Sequence, residues 1–314
     1  MKAIDHTFAE LDLPTPAPEG RDLLVKVAAV SVNPVDYKQR KQATGSRILG
    51  WDAAGIVEAV GAEVTLFKPG DQVYYAGDVT RPGCNSEFHL VDERIVGRKP
   101  SSLGFAEAAA LPLTSITAWE AFFDRMKVQR GRRMLIINGA GGVGSIGIQL
   151  ARHAGLNVIA TASRPESVAW VKDLGADDVV DHRKPLPPQV KPVDYVANFS
   201  GDLDSYWPAM AELVAPQGAV LAIVGNTKPL PMDVVRSKSA SICWELMFTR
   251  PRFKTPDMIE QHRLLNQVGE WLDAGKLRGT LKQTLSPINA ANLRTAHEKL
   301  ESGTMIGKLV LAGW

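Results

Sequence analysis

The sequence predicts an α/β protein, a parallel sheet covered by helices on both faces and joined to a compact barrel of short strands. Two observations predict it. Between residues 134 and 224 short apolar runs alternate with segments of helical period, and the first turn of that alternation is rich in glycine. The first hundred residues show no helical period and are punctuated by proline and glycine instead.

Residues 23–30 and 54–60 are rich in Val, Ala and Ile, with turn signals at Pro14, Pro16, Pro18, Gly20, Gly61 and Lys68-Pro-Gly-Asp71. From Gly104 the texture becomes Ala-rich, with helical spacing over 105–110 and 115–127. The alternation follows: strand 134–138, helix 145–154, strand 157–162, helix 165–174, strands 179–180 and 193–199, helix 203–214 and strand 219–224. Strands this apolar in such an order belong to a parallel sheet buried on both sides. Residues 257–274 read as one amphipathic helix closed by Gly275, 290–301 as another, and 307–311 as a last strand. That tail is too short for a domain of its own and is expected to complete the first lobe. The expected division is 1–115 and 246–314 for the barrel lobe and 116–245 for the sheet lobe.

A chain of 314 residues exceeds one typical domain. Its 45% hydrophobic and 22% charged content is that of a globular protein, and a net charge of +2 argues against nucleic acid or an anionic membrane as partner. Two cysteines, Cys84 and Cys243, support neither a disulfide framework nor a zinc site of three or four thiolates. The N-terminus lacks the apolar core of a signal peptide, and the longest apolar run, 218–225, is too short to span a bilayer. A cytoplasmic location is expected.

The strongest chemical signal is Leu135-Ile-Ile-Asn-Gly-Ala-Gly-Gly-Val-Gly144. Gly139, Gly141 and Gly144 satisfy G-x-G-x-x-G after an apolar strand and before a helix, the context a dinucleotide site requires. Gly139, Ala140, Gly141, Gly142, Val143 and Gly144 are therefore candidate contacts, with the helix start offering unpaired N–H groups to a pyrophosphate. At the end of the second strand an NAD site usually carries an acid on the ribose hydroxyls. Here stand Ser163 and Arg164, the latter 20 residues after Gly144. A guanidinium and a hydroxyl suit a 2′-phosphate, so the expected cofactor is NADPH. His182, at a later strand end, is placed beside the adenine or phosphate. Asn198, Phe199, Ser200, Val224 and Gly225 end the later strands, where ligands of parallel sheets bind.

Several blocks in order then carry a resemblance. Ser31-Val-Asn-Pro-Val-Asp36, Gly50-Trp-Asp-Ala-Ala-Gly-Ile-Val57, Lys68-Pro-Gly-Asp-Gln-Val73, Leu113-Thr-Ser-Ile-Thr-Ala-Trp119 and the ending Gly307-Lys-Leu-Val-Leu are similar to the zinc-free quinone oxidoreductase branch of the medium-chain dehydrogenase/reductase superfamily. Trp244-Glu-Leu-Met-Phe-Thr-Arg250 resembles its zinc-type alcohol dehydrogenase-like subgroup. The resemblance implies a Rossmann doubly wound sheet with a GroES-like barrel, and a homodimer pairing strands near residues 240–244. It also implies Thr117 against the nicotinamide. The stretch between Lys2 and Leu13 leaves little room for the usual first hairpin.

Zinc members of the superfamily carry a cysteine where Asn33 stands and His-Glu where Trp51-Asp52 stands, so no metal is expected here. The six histidines show no ligand spacing and are expected at surface or helix positions. Without a Lewis acid, the fitting reaction is hydride transfer to an already electrophilic quinone or α,β-unsaturated carbonyl. By resemblance the amide of Asn33 is a candidate donor, with Lys38 and Tyr37 as further donors to the carbonyl oxygen. Trp51 and Phe248 are expected to wall the substrate pocket. The competing readings are an enoyl-thioester reductase or alcohol dehydrogenase on the same frame, and a non-enzymatic NADPH-binding protein.

Overall fold

The computed structural model describes every residue from Met1 to Trp314. The chain divides into a continuous unit, Thr117–Met247, and a discontinuous one, Met1–Ile116 with Phe248–Trp314.

In the continuous unit six strands lie side by side in the order Asp178–Val180, Asn157–Thr161, Arg133–Ile137, Val193–Asn198, Val214–Ala222, Ser241–Trp244. Every neighbouring pair is parallel. Numbered along the chain the order is 3-2-1-4-5-6, the doubly wound arrangement, whose switch point falls between Arg133–Ile137 and Val193–Asn198. These two strands are apolar along nearly their whole length because helices cover both faces; Leu135, Ile137 and Val196 are fully buried. Trp207 on the helix Trp207–Leu213 and Val235 on Asp233–Ser237 pack into the same core. The helix expected over 115–127 is an α-helix only to Trp119; Glu120–Arg125 continues as a π-helical turn.

In the discontinuous unit the sheet order is Leu281–Leu285, Lys308–Ala312, Asp22–Ser31, Ala53–Val60, Gln72–Tyr75, Val96–Arg98, with Phe88–Asp92 pairing the first half of Asp22–Ser31. That ten-residue strand runs through two neighbourhoods: Leu23–Val27 alternates toward the core, and its last residues pair with the chain's end, Ser31 opposite Val310. Leu23, Val25, Val57, Val73, Ile95, Leu309 and Leu311 form the barrel core. The helix Ala290–Glu301 lays Leu293 and Ala296 against it, capped where the Asn289 side chain accepts the Asn292 N–H at 2.8 Å.

Two expectations are corrected. The first hairpin is present: Lys2–Ile4 pairs antiparallel with Glu10–Asp12. It fits because the turn is unusually tight, with Phe8 left-handed at φ 63° and the Asp5 carboxylate accepting the N–H groups of Thr7 and Ala9 at 2.8 and 3.1 Å. His89 is neither a surface nor a helix residue. It is buried in the strand Phe88–Asp92, stacked on Tyr75 and bonded to its hydroxyl at 3.1 Å, and burial pushes its imidazole down to about 4.

Candidate functional site

The nucleotide end is built around Asn138, which follows the central strand Arg133–Ile137 in the left-handed conformation, φ 63°. Its N–H donates to Thr161 Oγ1 at 2.9 Å and its side-chain amide to the Phe199 carbonyl at 3.1 Å. One residue thus ties the carboxyl ends of three adjacent strands. The glycines around it are sterically required. A Cβ on Gly144 would sit 2.2 Å from the Asn138 carbonyl oxygen, and one on Gly141 would sit 2.6 Å from the Asn138 amide nitrogen. The turn is therefore a backbone-lined cradle that a Cβ would fill. The helix Gly142–His153 starts there, turning its first N–H groups outward at the positive end of a twelve-residue dipole. These features fit a dinucleotide pyrophosphate held by Gly139, Ala140, Gly141, Gly142, Val143 and Gly144.

At the end of the second strand the structure brings Ser163, Arg164 and His182 together. Ser163 Oγ lies 3.3 Å from His182 Nε2. Arg164 is exposed at the start of the helix Pro165–Asp173, its N–H held by Ser167 Oγ at 3.1 Å. The imidazole of His182 is held below its usual range, first by partial burial and then by the Arg183 and Arg164 charges, against the pull of Asp181. Asp181 is itself engaged by Arg183 at 2.9 Å. The corner thus gathers a hydroxyl, an imidazole and an exposed guanidinium.

The remaining expected cofactor residues divide. Asn198 is fully buried, donating to the Asp202 carbonyl at 3.1 Å and accepting the Ser200 N–H at 2.9 Å, so it shapes its loop. Phe199 packs on Phe122 with centroids 5.8 Å apart. Val224 and Gly225 follow the end of the strand Val214–Ala222, Gly225 exposed with open space around its Cα. Thr117 is buried.

In the barrel unit Asn33 stands between the strand Asp22–Ser31 and the helix Pro34–Gln42. It is the centre of a buried polar cluster. Its side-chain N–H donates to Asp52 Oδ2 at 2.9 Å, and its amide oxygen accepts from Lys308 Nζ at 2.5 Å. Lys308 also donates to the Val32 carbonyl at 3.0 Å and lies 3.2 Å from Asp52 Oδ2. The other Asp52 oxygen accepts the Leu113 N–H at 2.8 Å. Asp36 closes the helix start by accepting the Asn33 N–H at 2.5 Å; burial raises its carboxyl to about 7, against the lowering effect of that bond and of Lys308.

The structure does not bring the other two candidate donors into this cluster. Lys38 is exposed and makes no side-chain hydrogen bond or ion pair, while Tyr37 is half-buried with the Lys41 ammonium 5.2 Å over its ring. Trp51 is fully buried, its indole N–H on the Asp78 carbonyl at 3.1 Å, Phe248 edge-on at 6.3 Å and the Arg47 guanidinium 5.8 Å from its ring. Sequence reading passed over Lys308, Asp36 and Asn138. The signals were a lysine opening an apolar strand, an acid three residues after Asn33, and an Asn where the glycine turn begins.

Zinc does not fit these residues. An amide and an indole occupy two of the positions, the carboxylate of Asp52 is matched by Lys308, and burial holds the Cys84 thiol well above its ordinary pKa. No group of three or more His, Cys, Asp or Glu side chains is gathered for a metal.

A unit with a doubly wound sheet and a glycine cradle, in one chain with a barrel unit holding a buried polar cluster, defines a nucleotide-dependent oxidoreductase. Comparison with known proteins agrees. Residues 19–120 match the alcohol dehydrogenase GroES-like domain and residues 174–311 the zinc-binding dehydrogenase family. A zinc-type alcohol dehydrogenase-like protein of Staphylococcus aureus is 44% identical over 308 residues, covering 94% of this chain and 92% of its own. A 2-methylene-furan-3-one reductase of Solanum lycopersicum is 30% identical, covering 98% of this chain and 76% of its own. Among solved structures, a protein from Rhizobium etli described as a candidate zinc-dependent alcohol dehydrogenase superposes with a TM-score of 0.95 at 52% identity, over 100% of this chain and 98% of its own. The quinone oxidoreductase of Coxiella burnetii gives 0.85 at 28% identity, over 100% and 99%. The chain belongs to the medium-chain dehydrogenase/reductase superfamily, in its quinone-oxidoreductase-like branch.

Proposed function

We propose that the protein reduces quinones or α,β-unsaturated carbonyls at the expense of NADPH, without a metal. The observation that carries this reading is the Asn33–Asp52–Lys308 cluster, where a buried ammonium neutralises the one carboxylate at the positions that hold zinc ligands in other members. Residues that do not fit a zinc ion offer no Lewis acid to activate an alcohol, which makes an acceptor that is already electrophilic the better-fitting substrate. The names of the tomato and Coxiella relatives point the same way.

Bound NADPH would supply the hydride. The glycine cradle would hold its pyrophosphate, and Ser163, Arg164 and His182 its 2′-phosphate. Negative charge developing on the carbonyl oxygen calls for a donor. Asn33 is committed to Asp52 and Lys308, which leaves Lys38 and Tyr37 as the donors with capacity to spare.

A second copy of the chain is the proposed partner. Ser241–Trp244 is an edge strand, and Ile242, Trp244 and Leu246 on or beside it are 36%, 46% and 48% exposed. Pairing that edge with its twin would cover them. No helix is long and apolar enough to cross a membrane.

The test follows NADPH oxidation at its near-ultraviolet band against quinones, enones and simple aldehydes, with metal analysis of the same sample. Turnover of quinones or enones with substoichiometric zinc is expected. Inertness toward every acceptor, or stoichiometric tightly held zinc, would overturn the reading.

A further inference from the structure

Lys308 is a lysine closed off from water, and the reaction scheme above does not use it directly. Its ammonium has three acceptors: the Val32 carbonyl, the Asn33 amide oxygen and Asp52 Oδ2. These satisfy all three of its protons. Asp52 in turn holds the Asn33 side-chain N–H and the Leu113 N–H. The ammonium therefore links three pieces of chain: the end of Asp22–Ser31 with the helix carrying Tyr37 and Lys38, the turn at Trp51-Asp52, already paired to that strand where the Ser31 N–H donates to the Asp52 carbonyl at 2.9 Å, and, through Asp52, the first turn of the helix Pro112–Trp119.

Holding several loops from one charged centre is a task a coordinated metal performs by bonding ligands from each. Here the ligand positions hold an amide and a carboxylate, and the geometry points to Lys308 as the internal cation that performs it. We propose that Lys308 is a positioning residue: it fixes Asn33 by its oxygen, pairs with Asp52 in the interior, and so sets the start of Pro34–Gln42 from which Tyr37 and Lys38 project. The inference rests on reading this lobe as the acceptor side of a reductase. Lys308 touches no substrate in this scheme and acts only through Asn33 and Asp52.

The test compares the full-length wild type with Lys308→Met, Lys308→Arg and the charge-neutral pair Asp52→Asn with Lys308→Met. Readouts are kcat and KM for a quinone acceptor, the calorimetric Kd of NADPH, thermal stability, and hydrogen exchange of peptides covering residues 31–38 and 111–116. Lys308→Met is expected to lower kcat about tenfold or more, as small misplacements of reacting groups do, while the NADPH Kd stays unchanged. Lys308→Arg should restore much of kcat. The neutral pair should recover thermal stability, since it strands no buried charge, yet leave kcat low. A Lys308→Met enzyme with wild-type kcat, or a neutral pair that recovers kcat together with stability, would overturn the proposal. Should the wild type reduce no acceptor, the reductase reading fails separately. Exchange then decides: faster exchange of both peptides in Lys308→Met supports the positioning role, and unchanged exchange refutes it.

Discussion

Lys308 and Asp52, 256 residues apart in sequence, meet at 3.2 Å with both side chains shut away from water. A buried ion pair is a weak source of net stability, but removing one member is costly because the other is left charged in the interior. Asp52→Ala also strips an acceptor from the Asn33 side chain and from the Leu113 N–H. The expected loss is about 3–5 kcal/mol in urea unfolding. A loss below about 1 kcal/mol, the scale of an exposed pair, would show that the cluster is not closed as described.

Arg164 is exposed at a helix start, so its removal should leave folding intact and act on the ligand. Arg164→Ala is expected to weaken NADPH binding about tenfold, roughly 1.4 kcal/mol, with NADH affinity unaltered. Calorimetric titration of both nucleotides measures the difference. An equal loss for both would place Arg164 elsewhere on the cofactor.

His297 sits inside the barrel unit with Phe8 edge-on at 5.1 Å, and neither ring nitrogen has a hydrogen-bond partner. Burial holds its imidazole down to about 4, from an ordinary 6.5. The unfolded chain then takes up the proton first, so stability is complete above the ordinary pKa and is lost as pH falls toward 4. The ceiling on that loss is roughly 3 kcal/mol for a shift of this size. Urea midpoints of His297→Leu should therefore decline less between neutral pH and pH 4.5 than those of the wild type. Parallel decline of the two would contradict a buried neutral imidazole.

The edge strand makes a separate prediction. Ile242→Lys combined with Trp244→Lys puts two charges on the row that a twin strand would cover. Sedimentation should find the wild type dimeric and the variant monomeric, with the nucleotide-binding unit still folded. A wild type that sediments as a monomer would remove the proposed partner.

Much of this fold was legible because its signals are local. The alternation from residue 134 onward and the G-x-G-x-x-G turn each lie within a few residues of the structure they dictate; strand apolarity points to a parallel sheet covered on both faces, and the doubly wound order came from the family resemblance. The tail's return to the first lobe was legible as well, since two helices and a strand cannot bury a core alone. The first hairpin was not, because its turn depends on a left-handed Phe8 that no propensity favours. The π-helical turn at Glu120–Arg125 carries the same apolar pattern as the α-helix before it. Nor could Asn33 be seen as a residue occupied on both sides of its amide, since Asp52 and Lys308 come to it from distant segments. Long-range electrostatics leave no periodicity to read.

The position of Lys308–Ala312 in its sheet governs how the molecule can be made. That strand lies between Leu281–Leu285 and Asp22–Ser31, so the barrel lacks an interior member until residues 308–312 have been synthesised. The unit Thr117–Met247 has no such gap and holds all its own strands on one continuous stretch. During synthesis the unit 117–247 is therefore free to fold first, while residues 22–98 wait, exposed and in need of protection, for residues 308–312 to emerge.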